Sequence, residues 1–216
     1  MDNLTPKTIA IGAVAAIGGI VLLFGAWKLS TKPAVAEKYS ITLNEKDHTL
    51  GTSTVKVMLV EYSDLQCPAC KAFSPVINQL VKKNQNRMMF VYRHFPLQQH
   101  KNGRAAALAS EAASKQGKFF EMHDTMFDHQ GDWENSDKPQ DSFIEYAKKL
   151  KLNIDTFKKD LNAGDSNDKI DADMRSGIQY KVTSTPTFFL NGTKLDLPGS
   201  LDEFQKLIDQ EAAKTK

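Results

Sequence analysis

Apolar and polar positions divide the chain into three stretches. From Ile9 to Trp27, nineteen consecutive residues carry no charge. As a helix they would extend about 28 Å, close to the roughly 30 Å hydrocarbon core of a bilayer. This predicts one N-terminal transmembrane helix over residues 9–27 after a short tail, residues 1–8. Residues 28–53 are mostly polar, contain Pro33, and read as a linker ending in a weak leading strand. Residues 54–216 carry the patterning of a packed domain.

Within that domain, Val55–Tyr62 and Met88–Phe95 have the apolar, β-rich composition of buried strands. A helix is expected between them from Pro68 to about Lys83, with Pro75 inside it and kinking it. Alanine-rich Arg104–Ser114 reads as a helix, and Phe119, Met122 and Met126, flanked by Phe120, His123 and Phe127, repeat at helical spacing. Further helices are expected at Asp141–Leu150, Ile154–Leu161 and Asn167–Tyr180, and a last one at Leu201–Ala213 behind Ser200 as its cap. Before it, Val182–Leu190 is β-rich, and Asn191-Gly192 offers a type I′ hairpin turn into Thr193-Lys194-Leu195. Strand and helix alternate as in an α/β domain. The roughly 180 residues after the apolar stretch suffice for one domain with a substantial core.

Composition narrows the function. The 28 Lys and Arg nearly balance the 26 Asp and Glu, giving a net charge of +2. The two signs are interspersed, so there is no basic stripe for nucleic acid. No internal repeat or low-complexity tract stands out.

The chain's two cysteines, Cys67 and Cys70, flank Pro68-Ala69 where a strand gives way to a helix. Pro68 suits a first helical turn, because its missing N–H would be unpaired there and its φ is preset. Cys67 then sits at the cap, where about half a positive charge favours its thiolate. A lowering of roughly 2 pKa units corresponds to about 2.7 kcal/mol in favour of the anion. Cys70, one turn later on the same face, is placed to attack a mixed disulfide on Cys67. Half a zinc site is the competing reading. Zinc usually takes four ligands, no second cysteine pair exists, and His48, His94, His100, His123 and His129 show no ligand-spaced pair with this one. A purely structural bridge over so short a loop would constrain the unfolded chain little. Neither a metal nor a dissociable cofactor is expected.

Glu61 precedes Cys67 by six positions on a strand expected to be buried on both faces. Burial raises a carboxyl's pKa, so Glu61 is a candidate to take the Cys70 proton. A strand-end glutamate facing solvent is the alternative. Asp64 falls in the following loop and reads as solvated or helix-capping. His94 and Trp133 read as packing residues. Asp165, Asp168, Asp171 and Asp173 lack EF-hand spacing and read as a solvated helix start. Asn191-Gly192-Thr193 matches a glycosylation sequon, which the hairpin explains without a sugar.

Cys67-Pro68-Ala69-Cys70 after one strand, together with Thr185-Pro186-Thr187-Phe188-Phe189 ahead of a hairpin, resembles the thioredoxin fold, with Thr185-Pro186 at its cis-proline loop. More than a hundred residues separate Cys70 from Pro186, which implies a helical insertion at about residues 100–178. With Tyr92-Arg93-His94-Phe95-Pro96 after a strand, residues 56–213 resemble the DsbA-like family of thiol:disulfide oxidoreductases, including its membrane-anchored members.

The resemblance implies exchange through Cys67 as nucleophile and Cys70 as resolver, with Glu61 similar to an acidic residue of that family. Thr185 and Pro186 would pack beside the cysteines, the Thr185 backbone pairing with an extended substrate peptide. The family's strongest oxidants carry histidine at the position of Ala69, so a moderate oxidant is expected. Cysteine-containing client proteins and a membrane redox partner for reoxidation are the implied partners.

The rival to a retained anchor is a signal peptide cleaved after Ala34-Val35-Ala36. Lys7 on one side and Lys28, Lys32 and Lys38 on the other do not fix the orientation. The resemblance and the single cysteine pair favour a single-pass protein of the cell membrane with its catalytic domain extracytoplasmic. A reductase or isomerase is the alternative within the class. A non-enzymatic, anchored thioredoxin-fold binding or metal-handling module is the alternative outside it.

Overall fold

The computed structural model describes residues 37–52, 54–161 and 164–214. The expected tail and transmembrane helix lie outside these residues. Among the described residues, no helix is long and apolar enough to cross a membrane.

The strands His48–Gly51 (β1) and Met58–Ser63 (β2), the helix Pro68–Asn84 (α1) and the strand Met89–His94 (β3) come first. Six helices follow: Gly103–Ser114 (α2), Phe119–Asp128 (α3), Gln130–Trp133 (α4), Pro139–Lys149 (α5), Ile154–Asp160 (α6) and Gly164–Gln179 (α7). The chain returns to the sheet through Thr187–Leu190 (β4) and Thr193–Lys194 (β5), then ends in Leu201–Ala213 (α8). The sheet order is β1-β3-β2-β4-β5. β2 and β3 are parallel, joined by the α1 crossover, and the other pairs are antiparallel. This is an α/β thioredoxin-like fold with a helical insertion between β3 and β4.

The central strands are apolar on both faces because both faces are covered. On one side Leu59, Phe90, Phe188 and Leu190 pack with Ile77, Leu80 and Val81 of α1 and with Phe204 and Ile208 of α8. On the other, Val60, Tyr62, Met89, Val91 and Phe189 pack with Ile41 and Val182. Each such side chain contributes roughly 1.5–3 kcal/mol on burial. Gly177 of α7 comes so close to this second face that a Cβ there would meet Phe95 at 2.6 Å.

The insertion has its own core, with Ala106, Ala109, Ala112 and Ala113 of α2 against Met122, Met126, Trp133, Phe143 and Phe157. The methyl side chains let the helices approach closely. Leu65, Cys67 and Cys70 belong to this cluster, which places the cysteine pair on the seam between sheet and insertion. Trp133 is fully buried and donates its indole N–H to the Met126 carbonyl at 3.0 Å.

Asn191 and Gly192 both have positive φ, 47° and 82°, as a type I′ turn requires. The Asn191 side chain is committed to the fold, accepting from Met58 N at 2.8 Å and donating to the Lys56 carbonyl at 3.1 Å. Ser200 caps α8 by accepting from Glu203 N.

Two expectations are corrected. The stretch before β1 is more than linker: from Glu37 onward the chain belongs to the folded unit, Tyr39 N donating to the Gly192 carbonyl and Ile41 packing under the sheet. Asp173 is buried rather than solvated, paired with Lys169 and accepting from His94 N.

Candidate active site

Asp64 builds the turn that presents Cys67. Its carboxylate accepts from Gln66 N at 2.9 Å, Leu97 N at 2.8 Å and His100 Nδ1 at 2.6 Å, while its carbonyl accepts from Cys67 N at 2.9 Å. It is only 2% exposed, which overturns its reading as a solvated or capping residue. Gln130 fastens the same turn from the insertion, donating its side-chain amide to the carbonyls of Leu65 and Cys67.

Cys67 is the N-cap of α1, with extended backbone and no side-chain cap, and Pro68 opens the first turn. Both cysteines are buried free thiols. The thiol of Cys70 beside it, working against burial, pulls the Cys67 thiol down to about 5, and Thr185 and the backbone N–H groups of Cys70 and Ala69 add to the effect. The helix N-terminus therefore contributes, as the sequence implied, but the neighbouring thiol contributes most. Cys70 is pushed well above the ordinary thiol range, first by burial, then by its hydrogen bond to Cys67 and the charge of Glu61. The pair is thus split into an anion and a protonated thiol.

The Thr185-Pro186 bond is cis. The Cys67 sulfur lies 3.3 Å from the Thr185 carbonyl oxygen. The Thr185 hydroxyl is buried and, among the described residues, has no other hydrogen-bond partner; its interaction with Cys67 favours the thiolate.

Glu61 sits mid-sheet, in register with Tyr92 on β3 and Phe188 on β4, and is 5% exposed. Burial pushes its carboxyl up to about 7; the Ser63 hydroxyl opposes this and the Cys67 charge adds to it. A cavity of about 10 Å³, about the size of one water, lies beside it, lined among others by Ser74, Asn78 and His123. Asn78 and His123 both hydrogen-bond the carboxylate of Asp124, which is partly exposed, so polar groups lead from Glu61 toward the surface.

A family model described as thioredoxin matches residues 43–210. The chain belongs to that family. Among solved thioredoxin-fold structures, Wolbachia pipientis alpha-DsbA1 is 25% identical with a TM-score of 0.73, covering 81% of this chain and 94% of its own. Oxidised BdbD from Bacillus subtilis is 26% identical with a TM-score of 0.72, covering 84% and 100%. The fold is therefore that of the DsbA-type oxidoreductases. A curated relative, the Na(+)/H(+) antiporter NhaA 3 of Salinispora tropica, is 33% identical over 165 residues, 76% of this chain and 24% of the relative. The chain spans about a quarter of that relative's length.

Placed on this thioredoxin-family fold, Cys67, Pro68, Ala69, Cys70, Thr185, Pro186 and Glu61 come together around one seam. His94 packs in the interior, as expected, with its ring hydrogen-bonded to Glu111. Asp64, Gln130 and the grouping of His94 with His48 and Glu111 were not foreseen. Their partners lie on separate elements, so no local spacing signals them.

Proposed function

We propose that this chain is a membrane-anchored, extracytoplasmic thiol:disulfide oxidoreductase that forms disulfides in secreted or surface proteins. The observation that carries the reading is the Cys67 sulfur, buried against the Thr185 carbonyl with its thiol held down to about 5. Such a sulfur is a good leaving group as well as a nucleophile.

In the oxidising direction, a client thiolate attacks Cys67 of the Cys67–Cys70 disulfide. The bond between the two enzyme sulfurs breaks, and Cys70 leaves and takes a proton, for which neutral Glu61 is the donor. A second client thiolate then attacks the client sulfur of the mixed disulfide and expels Cys67 as a stable thiolate. The client gains a disulfide, the enzyme pair holds the two electrons, and a membrane redox partner accepts them. Run in reverse, Cys70 attacks the mixed disulfide while the Glu61 carboxylate takes its proton. Pairing of the client backbone with Thr185 beside Pro186 accounts for a broad client range, because main-chain recognition ignores side-chain identity.

Support for the anchor is the uncharged stretch Ile9–Trp27. Support for an oxidising compartment is a cysteine inventory reduced to one reactive pair. The test is oxidation of a reduced dithiol peptide by the disulfide form, comparing wild type with Cys67→Ser. Stoichiometric oxidation lost in the variant upholds the reading, whereas equal behaviour of both overturns it. Activity only in insulin reduction would assign the reductase direction.

A further inference from the structure

Outside the cysteine pair, three side chains converge on one point. His48 of β1 and His94 of β3 direct their Nε2 atoms at the same carboxylate oxygen of Glu111 on α2, at 2.6 and 3.0 Å. The three ligand atoms lie within 4.8 Å of one another, and among the described residues no other such group of three His, Cys, Asp or Glu side chains occurs. The rings are fixed by packing. His48 stacks on Phe119 with centroids 3.4 Å apart, and His94 meets the edges of Phe119 and Tyr92.

Two imidazole nitrogens and one carboxylate oxygen thus face one point from three separate elements, with His94 and Glu111 buried.

We propose that His48, His94 and Glu111 form a binding site for a divalent transition-metal ion of the zinc class. Two imidazole nitrogens and one carboxylate oxygen suit zinc and its neighbours rather than calcium or magnesium, which take oxygen ligands. On binding, each ring's proton shifts by way of solvent from Nε2 to Nδ1, freeing both Nε2 atoms to ligate as neutral imidazoles, and the ligand atoms settle about 3.4 Å apart, the separation set by bonds of about 2.1 Å to a tetrahedral ion. Water completes the coordination from the side where His48 and Glu111 keep 11% and 10% of their side-chain surface. The ion would join the edge strand β1, the strand β3 and the insertion helix α2. Tyr92, paired in register with both His48 and Glu61, lies between this site and the redox pair.

The test uses the full-length, untagged chain in detergent with Cys67 and Cys70 oxidised to the disulfide, so that no thiolate competes. Co²⁺ alone is titrated, then Zn²⁺, with visible absorption and thermal unfolding as readouts. The expected result is one Co²⁺ per chain, ligand-field bands without thiolate charge transfer, displacement by Zn²⁺, and a raised Tm. His48→Gln keeps a donor toward Glu111 and so preserves the fold. It should weaken binding by more than about 100-fold, since loss of even an outer-sphere partner costs about 10–100-fold. Absence of both the bands and the Tm shift in the folded wild type, or binding unchanged in His48→Gln, would overturn the proposal in favour of a purely hydrogen-bonded triad.

Discussion

The Cys67 sulfur lies 3.3 Å from the main-chain carbonyl oxygen of Thr185, across 118 positions of sequence. The proposed pairing of an extended peptide with the backbone of Thr185 would bring that peptide to the sulfur proposed to react. Cys70 is buried and protonated beside it. Removing the resolver should leave the first covalent complex stranded, so Cys70→Ser is expected to accumulate mixed disulfides with clients and Cys67→Ser none. Non-reducing gels followed by mass spectrometry read this directly, and equal trapping by both variants would contradict the assignment of roles.

Glu61, held up to about 7, changes protonation within the working range. As pH rises through 7 its carboxylate becomes available to take the Cys70 proton, so resolution of the mixed disulfide should speed up there. Glu61→Gln should remove that inflection and slow the step about 100-fold at neutral pH, the lower end of what a positioned base contributes. Stopped-flow measurement across the pH range checks both effects. An unchanged profile in the variant would assign Glu61 a packing role only.

The two shifts act oppositely on stability. Cys67 has a depressed pKa in the reduced fold, so its contribution is full above the ordinary thiol pKa of about 9 and disappears as pH falls through about 5. At pH 7 it amounts to roughly 2–3 kcal/mol. Glu61 has a raised pKa, so its contribution is full below about 4.5 and is lost as pH rises through 7. The disulfide form retains only the Glu61 effect. Calorimetry should therefore find the Tm of the reduced protein, relative to the oxidised one, increasing steadily from pH 5 to pH 9.

Asp64 supports the redox turn from below. Asp64→Ala leaves the N–H groups of Gln66 and Leu97 without their acceptor and should cost roughly 2–4 kcal/mol. For a domain of this size that lowers Tm by roughly 5–15 °C. A loss below about 1 kcal/mol would mean that water replaces the carboxylate at no cost.

The contrast between Cys67 and Asp64 explains what the chain reveals before it folds. Cys67-Pro68-Ala69-Cys70 is legible because its chemistry depends on a local event, the start of a helix. Thr185-Pro186 and the Asn191-Gly192 turn are legible for the same reason. Glu61 is legible because an acid in an apolar strand has nowhere else to go. Asp64 looks like any loop acid until Leu97 and His100, more than thirty residues on, close over it. Asp173 reads as one of a row of solvated acids, yet Lys169 one helical turn earlier is buried with it against β3. The folded stretch before β1 is not legible in the sequence because its apolar contacts, such as Tyr39 on Phe189, come from the far end of the chain.

The stabilised anion at Cys67 underlies every step assigned to this chain. Its ionisation can be followed by thiolate ultraviolet absorbance of the reduced protein as pH is lowered, with Cys67→Ser as the blank. A transition centred near pH 5 is the predicted result, and one near pH 8–9, the range of an ordinary cysteine, would contradict the mechanism.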